Sequence, residues 1–217
     1  MSQPTALGTN RDYSSLVDDL TYRFDGIHDR ATVTAAVEQS RIRLEATATI
    51  PDFLPVLVAR FAREQLTAAA QADGRIATTM PELLFVCVHN AGRSQLAAAL
   101  AQQLSNGKVH VRSAGSDPTG QINPLVVQVL AERGIALTDA YPKPLTNDVV
   151  RAADVIVTMG CGDTCPVFPG RRYLDWDIPD PNGADLDTVR DIRDQIQAHI
   201  TALLRDLDIQ IRRTSRS

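Results

Sequence analysis

The spacing of apolar residues changes character once along the chain, near residue 80. Before that point apolar side chains recur at helical intervals. Leu16, Leu20 and Phe24 keep a four-residue beat that predicts a helix over 13–24, with Ser14 or Ser15 as its cap. Val33, Val37 and Leu44 share one stripe of a second helix over 29–46, with Arg41, Arg43 and Glu45 mostly off it. A third begins at Pro51, a favourable first helical residue, and carries Leu54, Leu57, Val58 and Phe61 on one face until Asp73-Gly74 ends it. Short connections between amphipathic helices favour antiparallel neighbours, so 13–76 is expected to be a small three-helix bundle behind a flexible tail at 1–12.

After that point short apolar runs alternate with helix-compatible stretches. The run 83–88 is continuously apolar with β-branched and aromatic members, as suits a strand buried on both faces. Further strands are expected at 109–112, 155–158 and 171–176. Helices are expected at 93–104 and 124–132, and over 187–207, where Val189, Ile192, Ile196, Ile200, Leu203 and Leu207 repeat as one stripe. This alternation predicts an α/β domain over 81–211, an open parallel four-stranded sheet with helices on both faces. Ligands of such sheets bind beyond the carboxyl ends of the strands, which singles out the loop 87–93.

Composition narrows the function classes. An apolar content of 44% in 217 residues is enough for an ordinary packed core, which excludes a disordered or fibrous chain. Lys+Arg total 22 against Asp+Glu 26, and the deficit divides about equally on either side of Ile76. Neither part has the basic excess that grips nucleic acid or an anionic membrane, and a DNA-binding role for the bundle conflicts with its charge. The polar N-terminus and the lack of a long apolar run predict a cytoplasmic protein. Three cysteines, Cys87, Cys161 and Cys165, are too few to staple a fold of this length.

Each cysteine therefore has to be read by its surroundings. Cys87 ends the first strand, and Val88, His89, Asn90, Ala91 and Gly92 form a turn before Arg93 and Ser94 open a helix. Unpaired amides at a helix N-terminus carry the positive end of the helix dipole, so a loop wrapped there cradles an anion. Asn90 and Gly92 tolerate the positive φ that wrapping demands. The same field stabilises a thiolate, which makes Cys87 a nucleophile near neutral pH, and the fork of Arg93 can hold two oxygens of a tetrahedral anion. Ser94 can donate to the thiolate. His89 reads as a loop residue.

Cys161 and Cys165 follow the expected third strand, whose end lies on the same sheet edge as the first loop, and Gly160 and Gly162 give the segment backbone freedom. A relay makes chemical sense there: Cys161 attacks an adduct on Cys87, and Cys165 resolves the disulfide by a second exchange.

The pattern of cysteine, five residues and arginine-serine behind a buried strand resembles the low-molecular-weight protein tyrosine phosphatases. From about Glu82 onward the chain resembles the thioredoxin-coupled arsenate reductases built on that fold. The likeness rests on Cys87 to Ser94, on Cys161 with Cys165, and on Asp175-Trp176-Asp177-Ile178-Pro179-Asp180-Pro181. It implies that Cys87 attacks arsenate held by Arg93 and the amides of Val88, His89, Asn90, Ala91, Gly92, Arg93 and Ser94. Asp180 then protonates the departing oxygen, Cys161 displaces arsenite, and Cys165 carries the disulfide outward to thioredoxin, with no bound cofactor and no metal.

Three departures from that pattern bear on the chemistry. Gly92 stands where relatives often have a further cysteine, the Cys161–Cys165 interval is short, and Ala98 replaces a glutamate of a potassium site, so potassium dependence is not expected. The competing readings are a phosphatase, disfavoured because Asn182-Gly183 rather than aromatic residues follow the Asp-Pro pair, and a reductase coupled to mycothiol and mycoredoxin. A zinc site from Cys87, His89, Cys161 and Cys165 lacks the usual knuckle spacing. A homodimer is left open.

Overall fold

A computed structural model describes residues 12–46, 53–118, 120–160 and 165–209. Cys161, Pro51 and nearly all of the expected tail lie outside the described residues. The bundle comprises α1 (Ser14–Arg23), α2 (Arg30–Glu45) and α3 (Leu54–Ala72). Ser14 and Ser15 lie inside α1 rather than capping it: Tyr13 is at the cap position, and the Asp12 carboxylate accepts from the Ser14 amide at 2.8 Å. Asp29 caps α2 through the Thr32 amide. Pro55 occupies the first turn of α3, and Gly74, just past its end, is left-handed at φ +70°.

The second part runs β1 (Glu82–Cys87), α4 (Arg93–Ser105), β2 (His110–Gly115), α5 (Pro124–Ala131), α6 (Asn147–Ala152), β3 (Val155–Met159), β4 (Arg172–Asp175) and α7 (Leu186–Asp206). The sheet has the order β2-β1-β3-β4, with every pairing parallel. β1 is buried along its whole length, as its unbroken apolar run requires between two layers of helices. The helix α6 is absent from the expected elements.

One face of the sheet packs Phe85 and Val157 against Leu96, Leu100, Ile192 and Ile196 of α4 and α7. The other face packs Leu84, Val86 and Ile156 against Val149 and Val150 of α6 and against Ala68 of α3. α3 thus contributes to two cores, since its other face carries Val58, Phe61 and Leu66 into the bundle. Among the described residues no helix is long and apolar enough to cross a membrane.

Candidate active site

The central strand β1 delivers Cys87 to the carboxyl edge of the sheet, with Gly115 of β2 and Met159 of β3 in register on either side. Cys87 is buried, 2% exposed. The chain then turns through 88–92, tied down by hydrogen bonds from the Asp117 amide to the Val88 carbonyl and from the Asn123 amide to the Ala91 carbonyl, both 2.9 Å. A Cβ on Gly115 would stand 2.7 Å from the Val88 carbonyl oxygen, so only glycine lets the loop close onto β2.

Only one of the two residues expected to carry positive φ does so. Asn90 is left-handed, at φ 50°, and is fully buried. Gly92 is not, at φ −129°; its missing side chain serves packing instead, because a Cβ there would meet Pro181 Cγ at 2.6 Å. The turn therefore needs one left-handed residue and one residue without a side chain.

Asn90 is the hub of the loop. Its Oδ1 accepts from the Lys143 amide at 2.8 Å and from Gln95 Nε2 at 3.1 Å, and its Nδ2 donates to Ser94 Oγ at 2.8 Å. Ser94 Oγ in turn lies 3.0 Å from Cys87 Sγ. Gln95 also donates to the carbonyls of Asn90 and Tyr141. Gln95 and the segment around Lys143 are not among the residues the sequence points to; they carry no local motif and reach the loop only through the fold.

Arg93 opens α4 with its guanidinium almost covered. Nη2 donates to Asp180 Oδ2 at 2.7 Å and Nη1 to the Ile178 carbonyl at 3.2 Å. A Cβ on Gly160, just past β3 at φ +70°, would stand 2.6 Å from Nη1. The carboxylates that crowd this region separate by contact. Asp175 accepts from Thr158 Oγ1, Asp185 caps α7 through the Thr188 amide, and Asp180 faces Arg93 while its Oδ1 accepts from the Asn182 amide. Hydrogen bonding to Thr188 holds Asp185 below the ordinary carboxylate range.

A pocket of about 630 Å³ opens over the loop, lined by Cys87, His89, Gly92, Arg93, Asp180 and Asn182 among others. His89 Nδ1 lies 3.1 Å from the Asp117 carbonyl, a loop contact at the pocket edge. Cys165 is buried on the α6 side of the sheet, beside Val149 and Val150. The segment after it is anchored by Tyr173, whose hydroxyl donates to the Pro166 carbonyl at 3.1 Å and accepts from the Phe168 amide at 2.8 Å. On the approach to the cysteine pair, Gly160 is the described residue that touches Arg93. Among the described residues no group of three His, Cys, Asp or Glu side chains is placed to hold a metal ion.

Chemically, this is a cradle for a tetrahedral oxyanion with a thiol at its base, a guanidinium at its side and a carboxyl at its mouth. The sequence profile described as low molecular weight phosphotyrosine protein phosphatase matches residues 82–213, and one described as protein-tyrosine-phosphatase-like, N-terminal domain, matches 14–70. The structure of a thioredoxin-dependent arsenate reductase of Corynebacterium glutamicum superposes with a TM-score of 0.80 at 41% identity, over 89% of this chain and 95% of that one. A putative arsenate reductase of Halobacterium salinarum is 32% identical over 55% of this chain and 87% of its own length. A glutaredoxin arsenate reductase of Synechocystis is 30% identical over 58% and 97%.

Proposed function

The chain belongs to the low molecular weight phosphotyrosine protein phosphatase family, and on that premise we propose that it is an arsenate reductase that draws its electrons from thioredoxin. The observation that carries this reading is the seat of Gly160 against Arg93. Cys87 pairs with Met159 across β1 and β3, and the next residue, Gly160, packs on the guanidinium at the wall of the oxyanion cradle, one residue before Cys161 in sequence. A phosphatase has no use for a cysteine immediately after such a residue, because water resolves its covalent intermediate.

The site residues then take these roles. Arsenate displaces Asp180 from Arg93 and sits on the amides of Val88, His89, Asn90, Ala91, Gly92, Arg93 and Ser94. The Cys87 thiolate attacks arsenic; a sulfur–arsenic bond forms, an arsenic–oxygen bond breaks, and the Asp180 carboxyl supplies the proton with which the oxygen leaves as water. Cys161 attacks Cys87 Sγ. As the Cys87–Cys161 disulfide forms, the electron pair of the broken sulfur–arsenic bond stays on arsenic, which departs as arsenite. Cys165 attacks Cys161 and frees Cys87, and the dithiol of thioredoxin reduces the Cys161–Cys165 disulfide. Chemistry of this kind needs the reducing cytoplasm, where thiols are kept free. The catalytic part spans 81–211, and the bundle at 13–76 braces it.

The test is arsenate-dependent NADPH oxidation with thioredoxin and thioredoxin reductase, comparing wild type with Cys87→Ser, Cys161→Ser and Cys165→Ser. Each substitution is expected to abolish turnover. Turnover that appears only with mycothiol and mycoredoxin would replace the donor. Hydrolysis of p-nitrophenyl phosphate that needs Cys87 alone, without arsenate turnover, would make the protein a phosphatase.

A further inference from the structure

The chemistry above leaves unused a second cavity, of about 370 Å³, between α3 and the sheet. No residue that lines it also lines the pocket over Cys87. Its walls carry the cationic groups of Arg23, Arg60, Arg63, Arg112 and Lys143 against the carboxylates of Glu64 and Asp139. Counting also Glu82, which pairs with Arg112 at 2.7 Å, cations still exceed carboxylates, in a chain whose net charge is -4.

The cations are unequally neutralised. Lys143 is paired with Glu64 at 2.8 Å and Arg60 with Asp139 at 3.3 Å, but Arg23 and Arg63 have no ion-pair partner among the described residues. Two buried donors join them. Arg112, whose side chain is 3% exposed, has its Nε without a hydrogen-bond partner among the described residues, and so has the hydroxyl of Tyr141. Burial, and then the Glu64 carboxylate, push Tyr141 ionisation well above its ordinary value, so it meets a ligand as an O–H donor. A buried donor without an acceptor is costly, and two of them beside surplus positive charge suit an acceptor that spreads several negative charges over several oxygens.

We propose that this cavity is a second anion site, for a small phosphoryl compound carrying at least two negative charges, of the size class of pyrophosphate. Among the described residues its walls hold no cysteine, and Ser113, which lines it, lies within β2 rather than between a strand end and a helix start, so the site binds rather than reacts. It also abuts the support of the catalytic loop: Gln95, one of its wall residues, donates to the Asn90 carbonyl at 2.9 Å, and the Lys143 amide donates to Asn90 Oδ1.

Isothermal titration of the full chain with pyrophosphate tests the proposal, using wild type, the double variant Arg23→Ser/Arg63→Ser and the single variant Arg93→Ala. Arg23 and Arg63 are exposed, so the double variant keeps its fold, which circular dichroism checks. Binding is expected in wild type, to survive Arg93→Ala, and to weaken ten-fold or more in the double variant, which removes two cations from the cavity wall. Absence of binding in wild type overturns the proposal. So does binding that Arg93→Ala removes, which would put pyrophosphate on the catalytic loop alone, or binding that the double variant leaves intact.

Discussion

Arg93 Nη2 donates to Asp180 Oδ2 at 2.7 Å, so the guanidinium that grips the oxyanion is held, in the resting site, by the carboxyl proposed to give the proton. Substrate binding exchanges one anion for another on the same cation. Asp180→Asn removes the competing charge together with the proton donor. The expected result is a fall in kcat of about 10²–10⁴, the usual worth of a general acid, with KM for arsenate unchanged or lower. A raised KM with kcat preserved would reduce Asp180 to a positioning group for Arg93. Steady-state turnover across a range of arsenate concentrations separates the two.

Proton positions around the nucleophile follow from donors that cannot be reversed. The Lys143 backbone amide can only donate, so the atom of Asn90 facing it is Oδ1, and Nδ2 is the end that faces Ser94. Ser94 Oγ accepts from Asn90 and keeps its own hydrogen for Cys87 Sγ, 3.0 Å away. A hydrogen bond to a charged group contributes about 1.5–3 kcal/mol. Ser94→Ala is therefore expected to slow alkylation of Cys87 by iodoacetamide at pH 7, and the first turnover of arsenate, by about 10- to 100-fold. Rates equal to wild type would remove Ser94 from the thiolate's support.

The parts of this site that could be read from the sequence are those whose reasons are local. Cys87, Arg93 and Ser94 declare themselves because a buried strand, a turn and a helix start occupy consecutive residues, and β1 and β3 show as short apolar runs. The helix α6 does not, since six residues make less than two turns and its Val149 and Val150 carry no readable period. Glycine at 92 reads locally as tolerance of a positive φ; its reason is Pro181, a contact no local pattern contains. The supports of Asn90 are hidden for the same cause, Lys143 lying 53 residues from it in sequence.

Gly160 offers a test of how closely Arg93 is held. At φ +70° any side chain costs about 1–2 kcal/mol in backbone strain, and a Cβ would press on Arg93 Nη1 from 2.6 Å. Gly134, at φ +69° with open space around it, shares the strain without the contact. Both Gly160→Ala and Gly134→Ala are expected to lower Tm by a few degrees. Only Gly160→Ala is expected to raise KM for arsenate, by about ten-fold, through the displaced guanidinium. Equal KM values in the two variants would show that Arg93 tolerates the shift.

The bundle and the sheet are latched by a buried carboxylate, and its titration gives a pH signature. Glu82 Oε2 accepts from His110 Nδ1 at 2.6 Å and from Arg112 Nη1 at 2.7 Å, while Oε1 accepts from Gln71 Nε2 of α3 at 2.8 Å. Gln71 Oε1 accepts in turn from Arg112 Nη2, closing the network across the two parts. Burial alone would raise the Glu82 carboxyl, but the His110 hydrogen bond and the Arg112 charge outweigh it, and the group titrates below its ordinary 4.5. A carboxyl lowered by folding stabilises the fold above its unfolded value and loses that contribution as pH falls through its folded value. Glu82→Gln leaves Arg112 buried without its counter-charge, at a cost of about 3–5 kcal/mol, or a Tm lower by roughly 10 °C at pH 7. The gap between wild type and variant is expected to hold down to about pH 5 and to narrow below pH 4.5, because wild type then protonates Glu82 and becomes like the variant. Scanning calorimetry at steps from pH 7 to pH 3 measures it, and a gap that stays constant over that range would show that Glu82 contributes shape rather than charge.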